Sequence, residues 1–298
     1  MAIGDVSQLS GLAGYHYVDT GMYAVPEYGS VYLIDDDRPT LVDTGIGADA
    51  DRIFGLLDAA GVAPADLSCI AVTHVHLDHA GGVGRLLAEC PNAEVYVHDI
   101  GVDHLADPSA LWAGTKDAVG EQIQFYAEPK PVPEDRITGI ADGDEIAIGD
   151  RTLRAHHAPG HAPHQVVFEV PEDDAVFTAD AAGIYSPSTD SVHVTSPPPQ
   201  FDLEQALADV AMLQDIDPEW LLYAHFGPAG AGDRLATYAD RLEAWVADVA
   251  EARADASDDA AVVEQFREQV ETPATWSETK ARAEVGMNVR GVLAYLDR

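Results

Sequence analysis

The sequence predicts an α+β fold in which two β-sheets pack face to face between two outer layers of helices, a four-layer αββα sandwich. Strand-like and helical segments occur in the order strands, helix, strand, helix, and a second half repeats this order. Beyond about residue 230 the chain is rich in alanine and helical in pattern. We therefore expect one sandwich domain over 1–230 and a helical C-terminal extension over 231–298 that packs on it.

The first half begins with strand segments over 12–43, where Gly and Pro separate short apolar runs. Apolar positions at helical spacing predict a helix over 48–60 that ends at Gly61. The run LSCIAVT then predicts a buried strand, HAGGVGRLLAEC a helix and AEVYVHD another strand. Residues 101–130 read as an insertion with weak helical signals.

The second half contains four strand-like runs, DEIAIGD, RTLRAHHA, HQVVFEV and DAVFTAD, followed by an irregular stretch over 181–200. Asp202 and Gln205 resemble a capping box, which predicts a helix over 203–214. EWLLYAH predicts one more strand. In the extension, Pro273 marks a break between helices.

The charge of the chain is strongly acidic, with 52 Asp and Glu against 16 Lys and Arg and a net charge of −36. Self-repulsion at this charge destabilises a compact state in dilute buffer, whereas at molar salt the screening length falls to roughly 3 Å. An acidic face for one partner would require a localised block, but the acidic residues are spread along the chain. We therefore expect a halophilic protein from a salt-filled cytoplasm.

Only two cysteines occur, Cys69 and Cys90, so neither a disulfide framework nor a thiolate metal site is expected. The first residues lack the basic start and apolar core of a signal peptide. No apolar run is long enough to span a membrane. These observations predict a cytoplasmic protein without a membrane partner.

Four metal-binding side chains follow the predicted strand LSCIAVT, within the stretch THVHLDH. Alternate residues of an extended segment point the same way, so His74 and His76 can bind one ion together. Asp78 and His79 lie beyond the bend and can face a neighbouring position. Imidazole and carboxylate are typical ligands of catalytic zinc, which keeps a position open for water.

The second half places three more such residues after strands: His161 in HAPGH, Asp180 in VFTAD and His225 in LLYAHFGP. Loops that follow strands in this way can gather at one edge of a sandwich. Together with HxHxDH, this pattern resembles the metallo-β-lactamase superfamily over roughly 15–230. The run VDTG at Val42–Gly45 is similar to the early motif of that family.

The resemblance implies a centre of two divalent metal ions, with three ligands for each ion and one bridging carboxylate. The implied ligands are His74, His76 and His161 for the first ion, Asp78, His79 and His225 for the second, and Asp180 as the bridge. It also implies that Asp43 supports the metal-binding histidines. Zinc is the expected metal, and iron or manganese also fits these ligands.

Such a centre implies hydrolysis, because two metal ions can ionise a bridging water and the resulting hydroxide attacks a carbonyl or phosphoryl group. Asp78 is the catalytic candidate, since it could also move a proton from that water. The β-lactamases of this fold lack a bridging aspartate, so Asp180 argues against β-lactam hydrolysis. Flavin-linked relatives carry Glu where His76 stands, which argues against oxygen reduction.

What remains within the family is ester-type hydrolysis, as in the branch that resembles glyoxalase II (hydroxyacylglutathione hydrolase) and in the lactonases, and we expect hydrolysis of a small-molecule thioester or lactone. The sequence departs from glyoxalase II in having AHFGP rather than GHEY, and no basic glutathione-binding cluster can be placed. A nucleic-acid phosphodiesterase or nuclease of the same fold is the alternative. Nucleases of this family usually carry a long RNA-gripping arm or a large inserted domain. The insertion over 101–130 is too short for such a domain and holds only two lysines, so a nucleic-acid partner is not expected. A metal-binding protein without turnover is the third hypothesis.

Three further residues are candidates for substrate contact or acid catalysis, each with packing or surface exposure as its alternative. Tyr185 could protonate a leaving alkoxide, as a tyrosine does in some lactonases. His164, three residues after His161, could support a ligand, and His193 could edge the pocket. The C-terminal helices could roof the pocket or form a homodimer contact, and the sequence leaves both open.

Overall fold

The computed structural model describes residues 1–270, 272 and 275–298. The first half of the chain forms a seven-stranded sheet whose spatial order follows the sequence. Its strands are β1 (Val6–Gln8), β2 (Tyr15–Asp19), β3 (Ser30–Ile34), β4 (Thr40–Val42), β5 (Cys69–Ala71), β6 (Glu94–His98) and β7 (Ile137–Ile140). Neighbours from β1 to β4 are antiparallel, and neighbours from β4 to β7 are parallel.

The second half forms a six-stranded sheet and a separate hairpin. The strands are β8 (Glu145–Ala147), β9 (Thr152–His157), β10 (Val166–Val170), β11 (Ala175–Ala179), β12 (Ile184–Ser186), β13 (Ser191–His193), β14 (Trp220–Tyr223) and β15 (Gly227–Gly230). The sheet has the order β15-β14-β11-β10-β9-β8, while β12 pairs with β13 alone. Only the pair β11–β14 is parallel among the described neighbours of this sheet.

Helices connect and cover the strands. They are α1 (Ala50–Ala60), α2 (Leu77–Ala80), α3 (Val83–Glu89), α4 (Val102–Ala106), α5 (Ser109–Val119), α6 (Leu203–Ile216), α7 (Arg234–Asp255), α8 (Asp259–Gln269) and α9 (Glu278–Leu296). Among these described helices, none combines the length and the apolarity that a bilayer-spanning segment needs.

Buried side chains divide into three main clusters, and these clusters define the layers. The strand β3 shows the principle, because alternate residues of a strand point to opposite faces. Its Val31 and Leu33 join α1 and α3 in a cluster on the outer face of the first sheet. Its Tyr32 and Ile34 point inward, towards Phe168 of β10 in the cluster between the sheets.

The outer face of the second sheet carries the remaining layer. Val167 and Val176 of this sheet share a cluster with Val210 of α6, Leu242 of α7 and Val289 of α9. The described chain is therefore a helix–sheet–sheet–helix sandwich with C-terminal helices, which confirms the predicted fold class. The division of the chain at residue 230 stays a prediction, since α7 contributes to the same cluster as the sheet.

Two predicted helices are found with small changes at their ends. The helix predicted over 203–214 is α6, and the side chain of Asp202 accepts a hydrogen bond from the backbone N–H of Gln205 at 3.1 Å, as a capping residue does. The helix predicted over 48–60 is α1, and Gly61 ends it in the left-handed conformation with φ 78°.

The single helix predicted for HAGGVGRLLAEC is instead two, α2 and α3. The chain between them, at Gly81 and Gly82, packs against the backbone that follows β4. A Cβ atom at Gly82 would lie 2.5 Å from the carbonyl oxygen of Thr44. This close approach requires glycine, and it fixes the turn that carries the histidine-rich stretch.

Other differences concern short elements. The stretch 181–200, predicted to be irregular, contains the hairpin β12–β13. The edge strands β1, β7 and β15 were not predicted, because each has three or four residues and no clear alternation of apolar and polar side chains. The predicted helix break at Pro273 lies outside the described residues.

Candidate metal centre

The seven predicted ligands meet at one edge of the sandwich. His74 and His76 follow β5, and Asp78 and His79 lie on α2, which begins immediately after His76. The loops after β9, β11 and β14 bring in the other three. The ligand atoms form three groups, each within 4.8 Å: His74, His76 and His161; Asp78, His79 and His225; and His74, His79 and Asp180.

The first histidine group converges on a single point. The Nε2 atom of His74 lies 3.1 Å from Nδ1 of His76, and the Nε2 atom of His161 lies 3.0 Å from the same Nδ1 atom. Three imidazole nitrogens so close together are the arrangement that one cation requires of its nitrogen ligands.

The second group forms beside it. The Nε2 atoms of His79 and His225 lie 3.3 Å apart. The Oδ2 atom of Asp78 lies 3.7 Å from Nε2 of His225. The side chain of Asp78 is 24% exposed, whereas those of His79 and His225 are buried. Asp78 is therefore the ligand candidate of this group that solvent reaches.

Asp180 lies between the two groups, with one oxygen towards each. Its Oδ2 atom is 3.2 Å from Nε2 of His161. Its Oδ1 atom is 3.4 Å from Nε2 of His79 and 3.6 Å from Nε2 of His225. This Oδ1 atom is buried and has no hydrogen-bond partner among the described residues. A buried carboxylate oxygen without a partner is unfavourable, so the donor set fits divalent metal ions, which would complete its coordination.

Contacts behind the ligands fix their orientation. Asp43 accepts from Nδ1 of His79 at 2.9 Å, and it also accepts from the backbone N–H of Thr73 at 2.8 Å. The carbonyl oxygen of Tyr28 accepts from Nδ1 of His225 at 3.0 Å. Because these Nδ1 atoms donate, the Nε2 atoms of both histidines are left free to bind a metal. The contact of Asp43 with His79 is the support that the sequence predicts.

The electrostatics of the site favour neutral imidazoles in the first group. Burial lowers the pKa of His161 to about 3, although the charge of Asp180 opposes this shift. Burial and the neighbouring histidines lower the pKa of His74 well below its ordinary value. Neutral imidazole is the form that binds a metal.

Charges dominate in the second group. Burial lowers the pKa of His79, but the carboxylates of Asp180 and Asp43 outweigh it and hold that pKa well above its ordinary value. For Asp180, burial raises the pKa, and the surrounding histidines then bring it far below its usual range. The carboxylates around His79 therefore favour positive charge on the Nε2 side of this ring, which a bound metal ion would supply.

The predicted acid Tyr185 lies elsewhere. Its hydroxyl donates to Oδ1 of Asp190 at 3.0 Å, and its ring stacks on Tyr223 with a centroid distance of 5.4 Å. It belongs to the cluster on the outer face of the second sheet. Its neighbour Ile184 faces the metal centre instead. The geometry thus corrects the prediction for Tyr185, since alternation along β12 turns it away from the site.

His164 and His193 take different positions. Nδ1 of His164 accepts from the backbone N–H of Val75 at 3.4 Å, and its ring lies parallel to that of His74, 6.0 Å away. Burial, together with neighbouring histidines, lowers the pKa of His164 to about 2. It is thus a neutral neighbour of the first group. His193 lines a separate cavity of about 460 Å³, with its ring 5.8 Å from that of Trp276.

An open cleft of about 610 Å³ lies over the ligands. The insertion contributes Ala118, Val119 and Tyr126 to its wall, and α9 contributes Glu284 and Met287. The C-terminal helix α9 therefore roofs this cleft. Neither Tyr126 nor Glu284 belongs to a sequence motif, and only the fold brings them to the centre.

A buried ion pair anchors this roof. Nζ of Lys280 lies 2.6 Å from Oε2 of Glu284, and the hydroxyl of Tyr28 donates to the same oxygen at 2.9 Å. The ammonium group also lies over the rings of Tyr23 and Tyr28, at 4.1 and 4.0 Å from their centroids. Cation–π contacts and the carboxylate together replace the lost hydration of this buried lysine.

Several known proteins are similar to this chain. A metallo-beta-lactamase fold-containing protein from Sulfurisphaera tokodaii, ST1585, is 26% identical over 219 residues, which cover 72% of this chain and 78% of that protein. An acyl-coenzyme A thioesterase from Gallus gallus, MBLAC2, is 28% identical over 185 residues, covering 56% and 62%. An atrochrysone carboxyl ACP thioesterase from Aspergillus chevalieri is 31% identical over 156 residues, covering 51% and 39%.

The crystal structure of the archaeal protein ST1585 has the same fold. It superposes with a TM-score of 0.73 at 21% identity and covers 95% of this chain and 99% of that one. The family model of the metallo-beta-lactamase superfamily matches residues 24–225, which is more than half of the 298-residue chain. With its sandwich fold and its gathered histidines and aspartates, the chain belongs to the metallo-beta-lactamase superfamily.

Proposed function

We propose that this protein is a metal-dependent hydrolase that cleaves a small-molecule thioester in the cleft beneath α9. The position of Asp180 carries the proposal. Its two oxygens face two separate groups of ligand atoms, and the oxygen towards His79 and His225 is buried without a described partner. A carboxylate in this position fits a bridge between two cations.

The residues present would hold two ions. His74, His76 and His161 fit the first, Asp78, His79 and His225 fit the second, and Asp180 fits both. The donors are imidazole and carboxylate, for which zinc is the expected metal, and iron or manganese also suits them. When bound, such ions lower the pKa of water and stabilise negative charge on a carbonyl oxygen.

The chain supplies proton transfer and orientation. Asp78 is the ligand candidate of the second group that solvent reaches, so it is the group best placed to accept a proton from water. Burial and the negative charge of Asp78 raise the pKa of Tyr126 well above its ordinary value. Tyr126 therefore stays protonated at neutral pH, and its hydroxyl, which contacts that of Tyr23, lines the space where a substrate would lie.

Two considerations favour a thioester over a lactone. A thiol has a pKa of about 8.5, so it leaves as a thiolate without the strong acid that an alkoxide requires, and Tyr185 is not placed to act as that acid. Two relatives are named as thioesterases, one for acyl-coenzyme A and one for an acyl carrier protein. The chain spans 62% and 39% of their lengths, so their substrates serve here as a guide to the thioester class.

The lining of the cleft supports a small substrate over a nucleic acid. Of the described residues that line it, none is Lys or Arg. Nucleic-acid affinity depends mainly on cations that neutralise phosphates. We further infer that the protein works in a salt-filled cytoplasm, as its net charge of −36 favours.

A hydrolysis panel of thioesters, lactones and phosphodiesters at molar KCl tests the proposal, with metal content measured on the same sample. We expect about two equivalents of metal and turnover of thioesters. Asp78→Ala should reduce turnover by about 100-fold or more, the usual contribution of a proton-transfer group, whereas Tyr185→Phe, outside the cleft, should leave it unchanged. A fully metal-loaded protein that hydrolyses no thioester would contradict the proposal.

A further inference from the structure

A groove beside the cleft carries two arginines. It encloses about 990 Å³ of open space and shares Ala118, Val119 and Met287 with the cleft. Arg267 of α8 and Arg290 of α9 line it. The three shared residues line both spaces, so the groove adjoins the cleft where α5 meets α9.

Arg290 stands at the junction of the two spaces. Its Nη2 atom donates to the carbonyl oxygen of Ala118 at 3.4 Å. Within the described part of the chain, this guanidinium has no carboxylate at ion-pair distance. Burial lowers the pKa of Arg290, and the positive charge of Arg267 lowers it further. Both arginines line the same groove, so two positive charges face one space at partly buried positions.

Arg267 is fixed in place by the packing of α8 on α9. A Cβ atom at Gly286 would lie 2.5 Å from Nε of Arg267, so the glycine leaves room for the guanidinium against α9. The ion pair of Arg267 with Glu264 is long, at 3.7 Å, and Arg282 binds the same glutamate at 2.7 Å. One carboxylate thus serves two arginines, so Arg267 has no close carboxylate of its own among the described ion pairs.

We propose that Arg267 and Arg290 bind a phosphate group of the substrate, so that the thioester is one whose small-molecule thiol carrier is phosphorylated. This inference rests on the proposed thioester hydrolysis and adds the class of carrier. Apart from the metal ions that the ligand candidates would hold, the cleft offers no Lys or Arg among its described lining residues, so a phosphate remote from the reacting carbonyl would find no cationic side chain in its walls. The groove supplies two cations at the point where the cleft opens.

Arginine is suited to this role because its planar guanidinium donates paired hydrogen bonds to phosphate oxygens. A phosphate between the two arginines would also relieve their mutual repulsion. Asp117 and Glu121 line the groove as well, and their negative charges would confine the phosphate to the side formed by α8 and α9. The acyl group would lie in the cleft.

Two thioesters that differ by one phosphate test the inference: S-acetyl-4′-phosphopantetheine and S-acetylpantetheine. For the wild type we expect a KM at least about ten-fold lower for the phosphorylated compound, at equal kcat. Arg290→Gln should raise that KM about ten-fold, as the loss of one charge-assisted hydrogen bond predicts, and should leave the KM of the other compound unchanged. Equal KM values in the wild type would overturn the inference.

Arg253→Gln is the matched control, because it removes the same charge from an arginine on α7 that pairs with Asp259 and Asp297 and does not line the groove. All measurements use one fixed KCl concentration, so that screening is constant. An equal rise in KM for Arg253→Gln would show a general charge effect and would also overturn the inference.

Binding of the free thiols separates this inference from the proposed function. Calorimetry with 4′-phosphopantetheine and pantetheine needs no turnover. If the wild type binds the phosphorylated thiol more tightly and Arg290→Gln abolishes this difference, the groove binds phosphate. This conclusion holds even if neither thioester is hydrolysed, in which case only the proposed function fails. If thioesters are hydrolysed but the phosphate changes neither binding nor KM, the proposed hydrolase function is kept and the proposed phosphate site is wrong.

Discussion

The hydroxyl of Tyr28 donates a 2.9 Å hydrogen bond to Glu284, which lies 256 positions further along the chain. Through its backbone carbonyl, Tyr28 also accepts from Nδ1 of His225. One residue between β2 and β3 therefore contacts both the roof helix α9 and a ligand candidate. This links the C-terminal extension to the metal centre.

Tyr28→Phe separates the two contacts. The substitution removes the hydroxyl bond to Glu284 but keeps the backbone carbonyl, so we expect the free energy of unfolding to fall by about 1–2 kcal/mol with unchanged metal content. Urea unfolding of the metal-loaded protein and metal analysis check this. Tyr185→Phe, whose hydroxyl bonds the exposed Asp190, should change the stability by less than about 0.5 kcal/mol. If Tyr28→Phe loses one equivalent of metal, the backbone carbonyl of Tyr28 alone does not hold His225 in place, which would contradict this interpretation.

Asp43→Asn tests the support behind His79. An amide cannot hold the Nδ1 proton as a carboxylate does, so His79 becomes a poorer ligand. We expect metal affinity to fall by about 10–100-fold, the usual effect of removing such a partner, measured by competition with a chelator. Asp19→Asn is the control, because Asp19 is also a buried carboxylate that accepts backbone N–H bonds, from Gly21 and Glu27. If Asp43→Asn and Asp19→Asn lower the metal affinity equally, general destabilisation explains the loss, and a specific role of Asp43 behind His79 is contradicted.

The metal centre was predictable from the sequence because its signals are local. Four ligand candidates fall in one heptapeptide, and His161, Asp180 and His225 each lie shortly after a predicted strand. The sandwich was predictable for a related reason, since a strand such as β3 follows a glycine and is a short, mostly apolar run.

The walls of the cleft were not predictable, because they depend on contacts between distant segments. Glu284 and Tyr126 reach the site only through the packing of α9 and of the insertion. Tyr185 shows the limit of placing a side chain from sequence alone. It lies one position out of phase with Ile184, so it faces the helical layer instead of the cleft.

Asp209 of α6 gives a prediction about pH. Its Oδ2 atom accepts from the backbone N–H of Gly160 at 2.7 Å, next to His161. Burial raises the pKa of Asp209 to about 7. Because the folded pKa lies above the unfolded value of 3.8, the folded state favours the protonated acid. The contribution of this carboxyl to stability is therefore fully present below about pH 4 and is lost as the pH rises to about 7.

Asp209→Asn isolates this group, because the amide oxygen can still accept from Gly160 but does not titrate. We expect the stability of the wild type relative to the variant to fall steadily from about pH 4 to about pH 7 and to level off above that. Urea unfolding of both proteins at matched salt and metal gives the difference at each pH. A difference that is constant over this range would contradict a raised pKa.

The net charge of −36 predicts that stability depends on salt. Between about 0.1 M and 1 M salt the screening length falls from about 10 Å to about 3 Å, so repulsion among the acidic side chains is largely removed. We expect the urea midpoint to rise over this range of KCl and the protein to unfold in dilute buffer. Urea is uncharged and does not itself screen.

Sucrose at the same osmolality is the control, since it strengthens burial by exclusion from the surface but screens no charge. If screening is the cause, NaCl and KCl should act alike at equal ionic strength, and sucrose should leave most of the instability in place. Equal stabilisation by sucrose would contradict the electrostatic explanation. A midpoint that does not change with KCl would remove the basis for expecting a halophilic protein.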